Sequence, residues 1–413
     1  MVKHNISKFF CLLLFIPFLS ACWDQIAIDE RAYVVALGLG KSEDENKIQV
    51  TFLITNPELS KKEAGTNEPA LETISFQAND VIVAKNKANS VIAKEVSYNL
   101  LRAVIISEEF AKEDRTLRWM YDLSKEYEIK RNVPLIVVKE SIDTFFQNNR
   151  PQLETKIHKY FDLILESANK SGLIPKSNLN SYYRVTEADG DLYLVIYGTS
   201  EISQGGDGTE DEFIAGKMDI QGETNQVQFI GSAIFKEGKM IGKLNGEETR
   251  LAILLNNTLK MGVIYTTYTD PFNEKYKITS RILNKENIHV KMDLKNNSPS
   301  VDVSIPIYMD IMTQHSMVDY VNDSEKRGIL KKSIEKEITD KITALVKRTQ
   351  EEFKGEPFGW SIIARKQFAT LPEYREFDWM NTYPSMEVNI KVEVNFGNFG
   401  QQSEIPNFEE VRD

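Results

Sequence analysis

The sequence predicts an α+β protein, a multi-domain mixed α/β ectodomain behind an N-terminal signal segment. Three observations carry that prediction. In the first half, runs rich in β-branched and aromatic residues alternate with amphipathic stretches of helical period, the pattern of a mixed α/β domain. In the second half, short strand-like runs separated by turn residues indicate an antiparallel sheet. The chain has 413 residues, and at roughly 100–200 per domain that length suggests two or three domains with sizeable cores.

Residues 33–40 (YVVALGLG) and 48–55 (IQVTFLIT) are the first strands, with the polar 41–47 as a hairpin loop between them. Polar residues 56–73 form a long loop. A helix follows from Asn79 or Asp80, either of which suits an N-cap, with Val81, Ala84, Ala88, Val91 and Ile92 on one face. Next come a strand at 100–106, a helix at 115–127 and a strand at 133–138. The stretch 151–172 is a long amphipathic helix, Pro151 at its start and Gly172 at its end. Residues 198–211 (GTSEISQGGDGTED) are polar and Gly-rich, a linker or exposed insertion. Asp207, Glu210 and Asp211 miss the spacing of a calcium loop and read as a solvated acidic loop.

Residues 227–235 and 239–244 flank Lys236-Glu237-Gly238 as a second hairpin. Asn245 with Glu248 three residues later is close to a capping box for the helix that holds apolar 251–255. Glu247 and Glu248 therefore read as helix-start residues and not as catalytic acids. Strands at 263–268, 275–283, 288–294 and 301–312 suggest antiparallel sheet, with 296–299 (NNSP) supplying a turn. The longest helix runs from 324 to 354, where Leu330, Ile334, Ile338, Ile342, Leu345 and Thr349 form one core stripe. A helical turn at 362–368 and an alternating strand at 386–396 close the chain. The expected divisions are a mixed α/β domain over 22–197, a small hairpin-plus-helix domain over 212–262, and a C-terminal domain over 263–413.

Lys3, His4 and Lys8 precede the apolar run 9–19, which only Pro17 interrupts. The run is shorter than the about 18 residues needed to cross a bilayer and has the length of a signal-peptide core. It ends in Leu19-Ser20-Ala21-Cys22, the lipobox pattern of bacterial lipoproteins. Small residues let the extended chain enter a peptidase cleft, and the thiol that follows is alkylated with diacylglycerol. Residues 1–21 thus read as a lipoprotein signal peptide, and Cys22 as the lipid-attachment site. Each buried methylene contributes about 0.8 kcal/mol, so two or three acyl chains hold a protein on a membrane. Trp23 suits the headgroup boundary and suits a domain-edge core equally well.

Acidic residues number 61 against 50 basic, for a net charge of −11. That balance argues against nucleic acid, whose phosphates need a clustered basic surface. Cleavage before Cys22 would remove Lys3, Lys8 and Cys11, leaving a more acidic chain without a free thiol. Such an ectodomain is repelled by anionic lipid within about a Debye length. Attachment then rests on the anchor and on protein partners.

Catalytic signatures are missing from the sequence. His158, His289 and His315 are far apart, and no pair has metal-ligand spacing. There is no G-x-S-x-G elbow, Walker loop or dinucleotide fingerprint. No cofactor and no metal are expected. A carboxylate hydrolase needs only two acids, but no pair stands out among so many.

With the lipobox, Cys22-Trp23-Asp24-Gln25 and the strand YVVALGLG resemble the start of the Ger(x)C family, the lipoprotein C subunits of nutrient germinant receptors in endospore-forming bacteria. The resemblance continues at 127–138 (YEIKRNVPLIVV) and 231–255 (GSAIFKEGKMIGKLNGEETRLAILL). It recurs at Pro357-Phe358-Gly359-Trp360 followed by Ala364-Arg365-Lys366. Two positions depart from the pattern: 395–399 (NFGNF) replaces an Arg-rich element, and Ser361 stands where a second glycine is usual. The resemblance implies a three-domain mixed α/β protein on the outer face of the inner spore membrane. It also implies assembly with membrane-embedded A and B subunits, the nutrient site on B, and a non-catalytic role in assembly and signalling. No direct small-molecule ligand and no nucleic acid are expected. The alternatives are a solute-binding lipoprotein of a transporter and an envelope hydrolase with paired carboxylates.

Overall fold

The computed structural model describes residues 30–55, 71–188, 190–203, 211–256, 263–283, 285–296 and 298–400. The expected signal segment, Cys22, Trp23, most of the expected long loop, Asp207 and Glu210 lie outside the described residues. Among the described residues no helix is long and apolar enough to cross a membrane.

Among the described residues the first sheet has nine strands. Its centre is parallel: β1 (Arg31–Lys41), β5 (Ala103–Ser107), β6 (Leu135–Val138) and β7 (Tyr193–Thr199) lie side by side. Antiparallel strands extend it at both ends, β2 (Ile48–Thr55) and β3 (Leu71–Ala78) beyond β1, β8 (Gln228–Lys236) and β9 (Lys239–Leu244) beyond β7. The short β4 (Glu95–Ser97) pairs with the start of β1.

Parallel strands need crossovers, and the crossovers supply the helices on both faces. One face packs α1 (Val81–Asn89), α2 (Glu108–Ala111), α3 (Thr116–Leu123) and α6 (Leu179–Glu187) around Met120, Leu123 and Tyr182. The other packs α4 (Ile142–Asn148) and α5 (Ile157–Lys170) through Phe145, Phe146, Phe161 and Leu165.

The second sheet has five strands among the described residues. The fifteen-residue β13 (Ser300–Gln314) is its spine. β11 (Lys277–Leu283) and β12 (His289–Asp293) pair antiparallel with its two ends, and β10 (Ile264–Thr269) adds to β11. The spacing of 324–354 did mark the covering helix, α8 (Ser324–Arg348), whose Leu330, Ile334, Ile338, Ile342 and Leu345 are buried together with Thr349.

Several expectations are corrected. The last strand, β14 (Glu387–Phe399), runs parallel to β13, because a crossover through four helices separates them. Those helices are α8, α9 (Trp360–Arg365), α10 (Leu371–Phe377) and α11 (Trp379–Thr382), the last two not anticipated. Residues 71–73, read as loop, begin β3. The helix expected from Pro151 starts at Ile157, where the buried series Ile157, Phe161, Leu165 and Ala168 begins. Val91 lies beyond the end of α1 and is exposed. The long helix passes at Thr349 into a π turn, Thr349–Phe353, closed by left-handed Lys354. There the Thr349 hydroxyl engages the Val346 carbonyl and the Tyr383 phenol.

The hairpin of 212–262 does not form a separate layer. Hydrogen bonds from β8 to β7 make it part of the first sheet, and Ile234 and Leu244 reach into the core of the second. Its helix α7 (Gly246–Leu254) has the anticipated capping box, Asn245 and Glu248 exchanging side-chain and backbone bonds.

Candidate functional site

The two halves meet where β7 begins. Asp191 and Glu356 form an isolated parallel bridge, and the Leu192 N–H donates to the Glu356 carbonyl at 2.9 Å. Glycines on each acid's N-terminal side permit this approach. A Cβ on Gly190 would meet Ser361 Cβ at 3.0 Å, and one on Gly355 would meet Met380 Sδ at 2.9 Å.

The Glu356 side chain is fully buried and accepts from the N–H groups of Phe358 (2.6 Å) and Ser361 (2.8 Å). It thereby does for α9 what its N-cap, left-handed Gly359, cannot do without a side chain. Burial pushes the Glu356 carboxyl well above its ordinary range, and the adjacent Asp191 carboxyl pushes it further. Burial raises Asp191 as well, against hydrogen bonding from Ser361 and the nearby Arg184 charge. Asp191 Oδ1 is sealed from solvent without a hydrogen-bond partner. Burial thus favours the neutral form of both carboxyls at the junction of the two halves.

Beside this pair opens a cleft of about 1100 Å³. One wall is α6 with Arg131 and Lys176; the other is α9, α10 and α11. Aromatic rings back both walls. Tyr121 stacks on Tyr183 at 5.4 Å and 28°, and its phenol donates to Glu187 at 2.9 Å. Trp379 stacks on Tyr383 at 6.1 Å. Burial lifts the Tyr374 phenol to about 12. Among the described residues, six cationic and four acidic side chains line the cleft, the reverse of the balance in the chain as a whole.

Ion pairs brace the same junction farther along. Glu247 holds Lys341 at 2.5 Å and Glu248 holds Arg348 at 2.6 Å, joining α7 to α8. Asp211 accepts from the Thr267 N–H and hydroxyl, each at 2.7 Å, and lies 3.3 Å from Arg250. The sequence placed Asp211 in a solvated loop, whereas it is tied to β10 and α7. Glu247 and Glu248 are helix-start residues, as read, and their partners are cations of the long helix.

His158 is half-buried on α5, while His289 and His315 are exposed at separate places. Among the described residues no group of three or more His, Cys, Asp or Glu is placed to hold a metal ion. Sequence reasoning missed Asp191 and Glu356, which no motif links. The available signal was local: Glu356 directly precedes the Pro357–Trp360 motif on which the resemblance rested.

Comparison with known proteins gives two family matches. Residues 24–198 match "Spore germination protein N-terminal domain", and residues 230–400 match "Spore germination B3/ GerAC like, C-terminal". Spore germination protein GerQC of Bacillus cereus is 22% identical over 94% of this chain and 97% of its own length. Spore germination protein KC of Bacillus subtilis (strain 168) is 20% identical over 92% of this chain and 93% of its own. The crystal structure of the GerBC protein superposes with a TM-score of 0.50 at 17% identity. It covers 88% of this chain and 98% of that one, a likeness of fold.

Proposed function

The chain belongs to the Ger(x)C family of spore germination proteins, and from that premise we propose that it is the lipid-anchored C subunit of a nutrient germinant receptor. Its role would be assembly and signalling, without catalysis. The observation that carries this reading is the reach of the family matches over both halves of one continuous structure, whose first sheet runs on into the β8–β9 hairpin. The thioether at Cys22 would anchor it to the outer face of the inner spore membrane. Its partners would be membrane-embedded A and B subunits. The acidity of the chain supports an anchor that does not depend on lipid charge.

A solute-binding lipoprotein is the second reading, and the cleft between the halves is what favours it. Against it, β7, β8 and α7 place side chains in the core of the second half, so the halves share packing and not merely a hinge.

The test uses spores that lack the gene and spores carrying Cys22→Ala. Optical-density loss and dipicolinate release are followed after nutrient addition, with a non-nutrient trigger as control. The expected result is failure of the nutrient response alone. A deletion strain that responds normally to every nutrient, in a background without related receptors, would overturn the receptor reading.

A further inference from the structure

Five of the cations in the cleft, Arg131, Lys176, Arg184, Arg365 and Arg375, make no ion pair among the described residues. They are exposed and stand on both walls. This is unusual in a chain of net charge −11, where acidic partners are plentiful and most other cations of the junction are paired. Of the four acids lining the cleft, three are occupied within the chain, Glu187 taking the Tyr121 phenol, Asp378 taking Asn381 and Asp191 bridging to Glu356, while Glu237 stands exposed on the β8–β9 turn.

From this arrangement we infer that the cleft docks an acidic peptide segment of a partner protein, a loop or terminus bearing several Asp or Glu residues. Small-molecule sites gather a few convergent polar groups in an enclosed pocket of about 300–1,000 Å³. Here five exposed, unpaired cations stand on both walls of a cleft of about 1100 Å³, above that range and lined by more positive charge than one small anion would neutralise. A single-charge ligand satisfies one wall only. An acidic segment satisfies both and sets its apolar side chains against half-buried Tyr121 and exposed Ile362 and Leu371. Seated there it lies over the Asp191–Glu356 bridge, where it would clamp the two halves together. The inference rests on the chain's being a receptor subunit, yet the two are tested apart: germination reports the subunit, and peptide binding reports the cleft.

The test titrates a fluorescein-labelled peptide, Glu-Glu-Ala-Glu-Glu-Phe-Glu-Glu, into the full-length chain in detergent and reads anisotropy. Two double variants neutralise one wall each: Arg131→Gln with Lys176→Gln, and Arg365→Gln with Arg375→Gln. The control is Lys332→Gln with Lys336→Gln on the exposed side of α8. Saturable binding is expected, weaker when NaCl rises from about 50 to about 300 mM. Each wall variant should lose about tenfold in affinity and the control should not. Equal binding in all three variants would overturn the inference. So would citrate binding as tightly as the peptide, which would assign the cleft to small anions. A chain lacking residues 401–413, whose sequence is itself acidic, provides the remaining arm. If peptide binds only to that truncated chain, the occupant is the chain's own tail and not a partner.

Discussion

Strands β5, β6 and β7 of the first sheet are buried at every position, whereas β11 and most of β13 in the second alternate residue by residue. The cause is topological. Parallel crossovers place helices on both faces of the first sheet, and α8 covers one face of the second. A given substitution should therefore weigh differently in the two halves. The largest effect is expected at Phe161, fully buried on α5 against the back of the first sheet. Phe161→Ala should cost about 3–5 kcal/mol by chemical denaturation, because a helix pinned across a closed layer cannot collapse into the void. A cost under about 1 kcal/mol would mean that the α4–α5 layer is not part of the cooperative core.

The seam comes next. Removing the Glu356 side chain leaves the buried N–H groups of Phe358 and Ser361 without their acceptor, at about 1–3 kcal/mol each. Glu356→Ala should thus cost about 2–6 kcal/mol, with α9 loosened first in hydrogen exchange. Titration of the same pair sharpens the comparison of halves. Both carboxyls are raised above their ordinary values of 4.5 and 3.8, mainly by burial. Between the ordinary and the raised values the folded chain holds a proton that the unfolded chain has released. The stabilisation is therefore complete below the ordinary values and is lost as pH rises through the raised ones. Asp191→Asn removes one titrating group and relieves the other, so its stability should fall less steeply with rising pH than that of the unmodified chain. Parallel stability–pH curves for the two would show that Asp191 does not titrate within this window.

A smaller effect is expected at the capping box of α7. Asn245→Ala should cost about 1 kcal/mol. It should also weaken the ion pairs that Glu247 and Glu248 make to α8, because the cap sets where that first turn lies. Thermal melts of Asn245→Ala, Lys341→Met and the double variant separate the contributions. Strict additivity would show that cap and ion pairs act independently.

What could be read from the sequence follows the range of the forces involved. The α8 stripe and the capping box were legible because helical period and local hydrogen bonds operate within one segment. The runs at 33–40 and 133–138 were legible because strands buried on both faces are continuously apolar. β3 was missed in part since its sequence LETISFQA, on the sheet edge, keeps half its side chains in water. The parallel pairing of β14 and the Asp191–Glu356 bridge were not legible, because both join segments far apart along the chain and neither has a periodic signature. Cys22 is the opposite case: the lipobox reading rests on a wholly local pattern, residues 19–22, and needs no fold to be seen.

The smallest effect is expected on the outer face of the second sheet, and it bears most directly on whether that face is free. Thr279 on β11 points away from buried Ile278 and Ile282, between Thr267 and Thr313. Asp211 holds the Thr267 hydroxyl beside it, but Thr279 itself is half-exposed, so Thr279→Ala should change stability by no more than about 0.5 kcal/mol. The alternation of β11 and β13 is a complete account of that face only if the purified chain is monomeric. A cost above about 1 kcal/mol, or a melting temperature that rises with protein concentration, would show a second copy covering the sheet. The contrast between the halves would then be one of assembly, with the second sheet closed by a partner where the first is closed by its own helices.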